Sequence, residues 1–362
     1  MTRALALVVL ALALAPATAG AAEPWRDATT VRDALFDAQA ELILGSEATA
    51  ARQVERARAA YRGELRRGIR AADRDADAAT GRALREAATA ARRGDGVRLA
   101  AARGAARAAI LRGSFAATLA AVERGDAETA RGWLLLREFR TATRFTRPGA
   151  DATIAVRRLE AGKLDAARTH EAVEKDLLDA YQARLRELLD DAARGAEDDL
   201  PERQAEATAQ AAGYFEILAP RYEEDRGAAA TESARAAFAA LRDGGGSVEA
   251  ATEALEGFTA APFTPDEAAR RAQQLLRFLA LVPVEYDRGV SDTRVTLDFE
   301  IQEAVAFRTG AEAAFADLRD QLAKRDAART ETAAASTLPP PSRSAANAAR
   351  ADSVAAAPRS SS

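Results

Sequence analysis

Apolar and charged positions alternate along this chain at spacings of three and four, the period of an amphipathic α-helix. Val31, Leu35 and Leu42 lie on one stripe, widened by Ile43. Leu177, Leu178, Tyr181, Leu185, Leu188 and Leu189 form a longer one, and Leu275, Leu276, Leu279 and Val282 a third. The intervening residues are mostly Ala, Arg, Glu and Leu, all strong helix formers. The pattern predicts an all-α protein, either a multi-helix bundle or stacked helical hairpins. No fixed repeat length emerges that would make it a solenoid.

Glycine and proline mark the ends of these helices. Gly94 and Gly96 flank Asp95, Gly125 precedes Asp126, and Gly162 comes just before Asp165. Pro201 suits a first helical turn, and Pro220 reads as the end of a helix. Thr264-Pro265-Asp266-Glu267 is a strong helix start, with proline at the first position and acids at the positive end of the dipole. Residues 139–150 include Arg147-Pro148-Gly149 and read as a loop between two helical halves, 22–138 and 151–331. Residues 283–294 also read as loop. From Thr332 the chain is Ala, Ser, Pro and Arg, with Pro339 to Pro341 consecutive, and 332–362 is expected to be a disordered tail.

Residues 1–21 read as a signal peptide. Arg3 is followed by an apolar run from Ala4 to Ala15, then Pro16 and the small residues Ala17 to Ala22. Cleavage sites fit at Ala19 or Ala21. The run is short of the roughly 20 residues of a membrane helix, and no later apolar stretch reads as a span. The expected location is the periplasm or the extracytoplasmic face of the envelope, with no direct membrane span after cleavage.

Composition narrows the chemistry. Met1 is the one methionine and cysteine is absent, so the mature chain contains no sulfur. Disulfides, thiolate nucleophiles, Cys-bound zinc, iron–sulfur clusters and thioether copper sites are excluded together. The formal charge of −4 points to no nucleic-acid partner. With one histidine, no Gly-rich phosphate loop on a strand and no G-x-S-x-G elbow, nothing selects an enzyme. A paired-carboxylate hydrolase is a distant third reading, because no acid spacing singles one out.

Two stretches carry a resemblance. One runs from Gly132-Trp133-Leu134-Leu135-Leu136-Arg137-Glu138-Phe139-Arg140 through Thr143 to Ala152 and on into Lys175 to Leu185. The other is Val284-Glu285-Tyr286-Asp287-Arg288-Gly289-Val290 followed by Val295 to Ala304. Both resemble the extracytoplasmic N-terminal region of bacterial high-affinity iron permeases of the oxidase-dependent type, over roughly residues 115–325. The resemblance implies a role in iron uptake, with a membrane iron permease or other uptake components as partners. The permease half, whose Arg-Glu-x-x-Glu motifs handle iron, is not found in this sequence. Arg186-Glu187-Leu188-Leu189-Asp190 approximates that motif, but such spacing is ordinary helix pairing.

Any metal site here must be built mainly from carboxylates, which suit hard cations such as ferric iron, calcium or manganese. The first candidate set is Glu285, Asp287 and Asp292 with Asp298, Glu300 and Glu303. The second is His170 with Glu174, which share a helix face at i, i+4. Ferrous or ferric iron is the expected ligand. Phe139, Arg140, Arg144, Phe145 and Arg147 form an Arg-aromatic surface suited to a partner. The function expected is an extracytoplasmic accessory domain for iron uptake, binding iron, docking to a permease, or both, and not transporting by itself. The alternative is a structural or protein-interaction helical module of the cell envelope without metal.

Overall fold

The computed structural model describes residues 24–136, 151–291 and 294–325. The expected signal peptide, the 139–150 segment and the tail lie outside them. The chain is all-α, as the periodicity predicts. It divides into two compact units, one ending at Pro262 and one beginning at Phe263.

The first unit holds α1 (Pro24–Ile43), α2 (Glu47–Tyr61), α3 (Glu64–Ala72), α4 (Arg74–Arg92), α5 (Gly96–Glu123) and α6 (Ala127–Leu134). After the undescribed segment come α7 (Ala152–Glu160), α8 (Ala166–Glu197), α9 (Pro201–Arg226), α10 (Ala228–Arg242) and α11 (Val248–Ala254). Aspartates cap many of the starts. Asp73, Asp95, Asp126, Asp151 and Asp165 each accept a backbone N–H from the first turn of the following helix. At Gly94-Asp95 and Gly125-Asp126 the glycine takes a positive φ, which closes one helix, and the aspartate opens the next. Three residues thus suffice to connect α4 to α5 and α5 to α6.

α5 is the central element. Leu99, Ala102, Ala106 and Ile110 face one apolar core with α1–α4 and Trp133. Ala108, Leu111, Ala121 and Val122 face a second core built from α6–α11. Burial on both sides explains why this helix is apolar nearly all round. Among the described residues it is the one helix long and apolar enough to cross a membrane, which corrects the reading that no later stretch qualifies. The apolar window is 61% buried within the unit.

The second core joins helices from before and after 139–150, so the expected two halves do not form separate bodies. Leu134, Ala152, Val156, Leu177, Tyr181 and Leu185 belong to it together. Aromatic rings fill its centre: Phe215 stacks on Phe238 at 4.7 Å, Tyr181 meets Tyr214 edge-on at 5.8 Å, and Tyr222 meets Phe258 at 4.9 Å. Gln182 closes the far end by donating to the Phe258 carbonyl and accepting from the Ala260 N–H, both at 2.7 Å.

The second unit is a helical hairpin of α12 (Pro265–Gly289) and α13 (Asp298–Arg325), joined through β1 (Val290–Ser291) and β2 (Arg294–Val295). The two short strands pair antiparallel, Val290 opposite Val295 and Ser291 opposite Arg294. The helix start expected at Thr264 is present, and Thr264 and Glu267 form a capping box there. The loop expected over 283–294 is largely helix, since α12 continues through Pro283 to Gly289. Pro220 likewise lies inside α9 instead of ending it. Both prolines are on exposed faces, so the missing N–H and any kink disturb no core contact.

Candidate metal centre

The turn end of the α12–α13 hairpin brings carboxylates together. Gly289 closes α12 against α13: a Cβ placed there would lie 2.6 Å from Ile301 Cδ1 and 3.2 Å from Glu300 Cβ. The Gly289 carbonyl accepts from the Thr296 N–H at 2.8 Å and from its hydroxyl at 3.2 Å. This close approach sets Glu285, one turn before Gly289, opposite Glu300 and Glu303, which are neighbours at i, i+3 on α13. Glu285, Glu300 and Glu303 can each offer one oxygen, all within 4.8 Å of one another.

The electrostatics of the cluster are those of crowded acids. Glu285 is buried, and Arg288 Nη1 donates to its Oε2 at 3.0 Å. Glu300 is held above the usual carboxylate range by its hydrogen bond to Glu285, with burial and the charges of Glu285 and Glu303 adding to the effect. Arg288 opposes that rise. A proton on Glu300 therefore relieves the repulsion. A hard cation among the same oxygens would do so more completely. Three ionised carboxylates and one guanidinium leave two negative charges, which suits a divalent or trivalent ion.

The structure assembles part of the set expected from sequence. Asp287 is exposed, two residues from Glu285 and so on a different helix face. Asp298 is exposed at the first position of α13. Asp292 lies outside the described residues, as do Phe139, Arg140, Arg144, Phe145 and Arg147. Arg288 is a participant that was not among the candidate site residues, and its i, i+3 spacing from Glu285 was the available signal.

His170 and Glu174 are in the first unit, on α8, and belong to a different constellation. Their side chains approach to 4.0 Å, while His170 Nε2 lies 3.3 Å from Glu123 at the end of α5. Glu123 was not legible as a partner, being 47 positions away in sequence and brought close only by the packing of α5 on α8. The neighbouring Glu171 pairs with Lys175 at 2.7 Å. In the motif-like run of α8, Leu188 and Leu189 are core residues and Glu187 pairs with Arg184 at 3.0 Å. That is ordinary helix architecture.

The first unit also has a cleft of about 740 Å³, lined by Trp25, Leu35, Phe36, Arg103, Arg107 and Glu206 among others. Arg103 pairs with Glu206 through both nitrogens of its fork and lies over the Phe36 ring. Its lining contains no converging acids comparable to the hairpin triad.

Comparison with known families accounts for both units. The family model described as iron permease FTR1 N-terminal domain matches residues 21–261, more than half of the chain. A second, described as iron permease-associated 4-helix bundle domain, matches residues 264–352. The junction between the two matches falls at the boundary between the compact units. No curated protein and no solved structure matches the chain. These are domains of a transporter-type family and not of an enzyme family. The fold, the unit boundary and the two adjoining matches agree, and the chain belongs to the iron permease FTR1 N-terminal domain family.

Proposed function

We propose that this chain is an extracytoplasmic accessory domain of iron uptake that captures iron at Glu285, Glu300 and Glu303 and presents it to a membrane iron permease. The observation that carries the reading is the convergence of three carboxylates, one with a raised proton affinity, in a chain of an iron permease family. Oxygen-only ligation gives modest affinity and ready release, as capture and hand-over require. Iron is cargo here, and Arg288 limits the net charge the triad presents to it.

Calorimetric titration of the full chain with ferrous and ferric iron, with calcium and zinc as competitors, tests this reading. Saturable binding is expected, and Glu300→Gln with Glu303→Gln should weaken it at least tenfold. Undiminished binding in that double variant would remove the triad from the function. Absence of any binding would favour the second reading, an envelope interaction module. The Arg288–Glu285 pair gives that reading some support, because it already occupies one of the three carboxylates.

A further inference from the structure

The α12–α13 hairpin is stepped by rungs of different chemistry. At the end away from the turn, Arg271 donates to Asp317 Oδ2 through Nε at 3.1 Å and Nη2 at 2.7 Å. Its Nη1 donates to Gln274 Oε1 at 2.8 Å. Seven residues on along α12 and seven back along α13, Phe278 lies against Gly310, where a Cβ would meet the ring at 2.8 Å. Another seven in each direction bring Glu285 to Glu303, beside Glu300. Seven residues are close to two helical turns, so 271, 278 and 285 share one side of α12, and 317, 310 and 303 one side of α13. The ion pair is therefore in step with the triad, although about 21 Å separates them along the helices.

The apolar part of the seam specifies that step weakly. Among the described residues, the buried side chains of α13 are Ala304, Ala311, Ala314 and Leu318. Alanines present a shallow, repetitive surface, against which a facing helix packs in more than one register. A displacement of one heptad would set Phe278 opposite Glu303 in one sense and opposite Asp317 in the other, and either would take Glu285 away from Glu303. Arg271 is only 2% exposed. Burying a guanidinium carries a desolvation cost that an apolar side chain avoids, so such a pair adds little to stability. It does penalise every arrangement that separates Arg271 from Asp317, as a polar residue in a helical seam fixes register.

We propose that Arg271 and Asp317 are positioning residues, whose buried pair sets the register of the hairpin and so brings Glu285 to Glu300 and Glu303. They act on the triad through the two helices that carry it. The consequence for iron rests on the capture reading above, whereas the register itself does not.

The test is the full chain carrying Arg271→Met and Asp317→Leu together. Its thermal midpoint should stay level or rise, because apolar packing takes the place of a buried ion pair. Iron affinity in the calorimeter should nevertheless fall about tenfold, the scale on which groups outside the ligand set tune a metal site. Native cysteine is absent, so nitroxide labels can be attached at two exposed positions through Leu279→Cys and Thr309→Cys. Their distance distribution should be single and narrow with the pair intact, and broad or doubled in the Met/Leu variant. Exchanging the charges, Arg271→Asp with Asp317→Arg, should narrow it again. A distribution that stays narrow without the pair would overturn the proposal, since the turn alone would then set the register. So would equal broadening on Arg308→Met with Glu312→Leu, which removes an ion pair within α13. A sharply lowered midpoint would mark the pair as a stabilising contact and overturn it as well. If the unsubstituted chain binds no iron, the capture reading alone falls, and the label distances still decide the register.

Discussion

At the scale of single residues, charge placement decides two opposite pH responses. Glu300 is raised by its hydrogen bond to Glu285, by burial and by neighbouring charge, so the folded chain holds that proton more tightly than the unfolded chain. Its contribution to stability therefore falls as pH rises from the ordinary carboxylate value through the raised one. Iron bound at the proposed site would compete with the same proton, so its affinity should weaken as pH is lowered through that window, and Glu300→Gln should flatten the dependence in a titration series. Asp191 behaves the other way. Burial disfavours its ionised form, but hydrogen bonds from Arg194 at 2.7 Å and Arg203 at 3.1 Å outweigh this and lower it. Its stabilisation is present above the ordinary carboxylate value and lost as pH falls through the depressed one. Asp191→Asn should accordingly reduce the pH sensitivity of thermal unfolding on the acid side. The three triad glutamates were legible as acids near a turn. Which three of the six candidates converge was not, because residues two apart point to different faces and the partner helix selects one of them.

At the scale of elements, starts were more legible than ends. A cap is a local hydrogen bond between neighbours in sequence, so Thr264, Asp95 and Asp126 could be read directly. Asp151 accepts from both Thr153 and Ile154, and Asp151→Ala should cost about 1 kcal/mol in denaturant unfolding. The prolines misled because their effect depends on what surrounds them. Pro220 and Pro283 each remove one helical hydrogen bond, but packing of the opposite face holds the helix through the defect. Close helix crossings were also beyond sequence reading. A Cβ at Gly104 on α5 would sit 2.5 Å from the Glu206 carbonyl oxygen of α9. Gly104→Ala should force the two helices apart and destabilise the chain by about 1–3 kcal/mol in the same measurement.

At the scale of the whole molecule, burial sorts residues that look alike in sequence. Phe238 lies in the aromatic centre of the second core at 1% exposure, whereas Ile43, part of an equally periodic stripe, is 77% exposed. Phe238→Ala should cost about 3–5 kcal/mol in denaturant unfolding. Ile43→Ala should change the midpoint little, because almost no contact is lost. The sequence by itself determined the all-α class, the helix starts and a cysteine-free composition in which carboxylates are the main donors available to a metal. Each of these follows from period, local hydrogen bonding or composition, which are properties of neighbours along the chain. Tertiary structure alone decided that the helices on both sides of 139–150 share a core, that the boundary falls at Pro262, and that Glu285 meets Glu300 and Glu303. It also decided that Leu276 and Leu279 are left open. The reason is physical: an amphipathic period shows that a helix has an apolar face, but only the packing of distant segments determines what covers it.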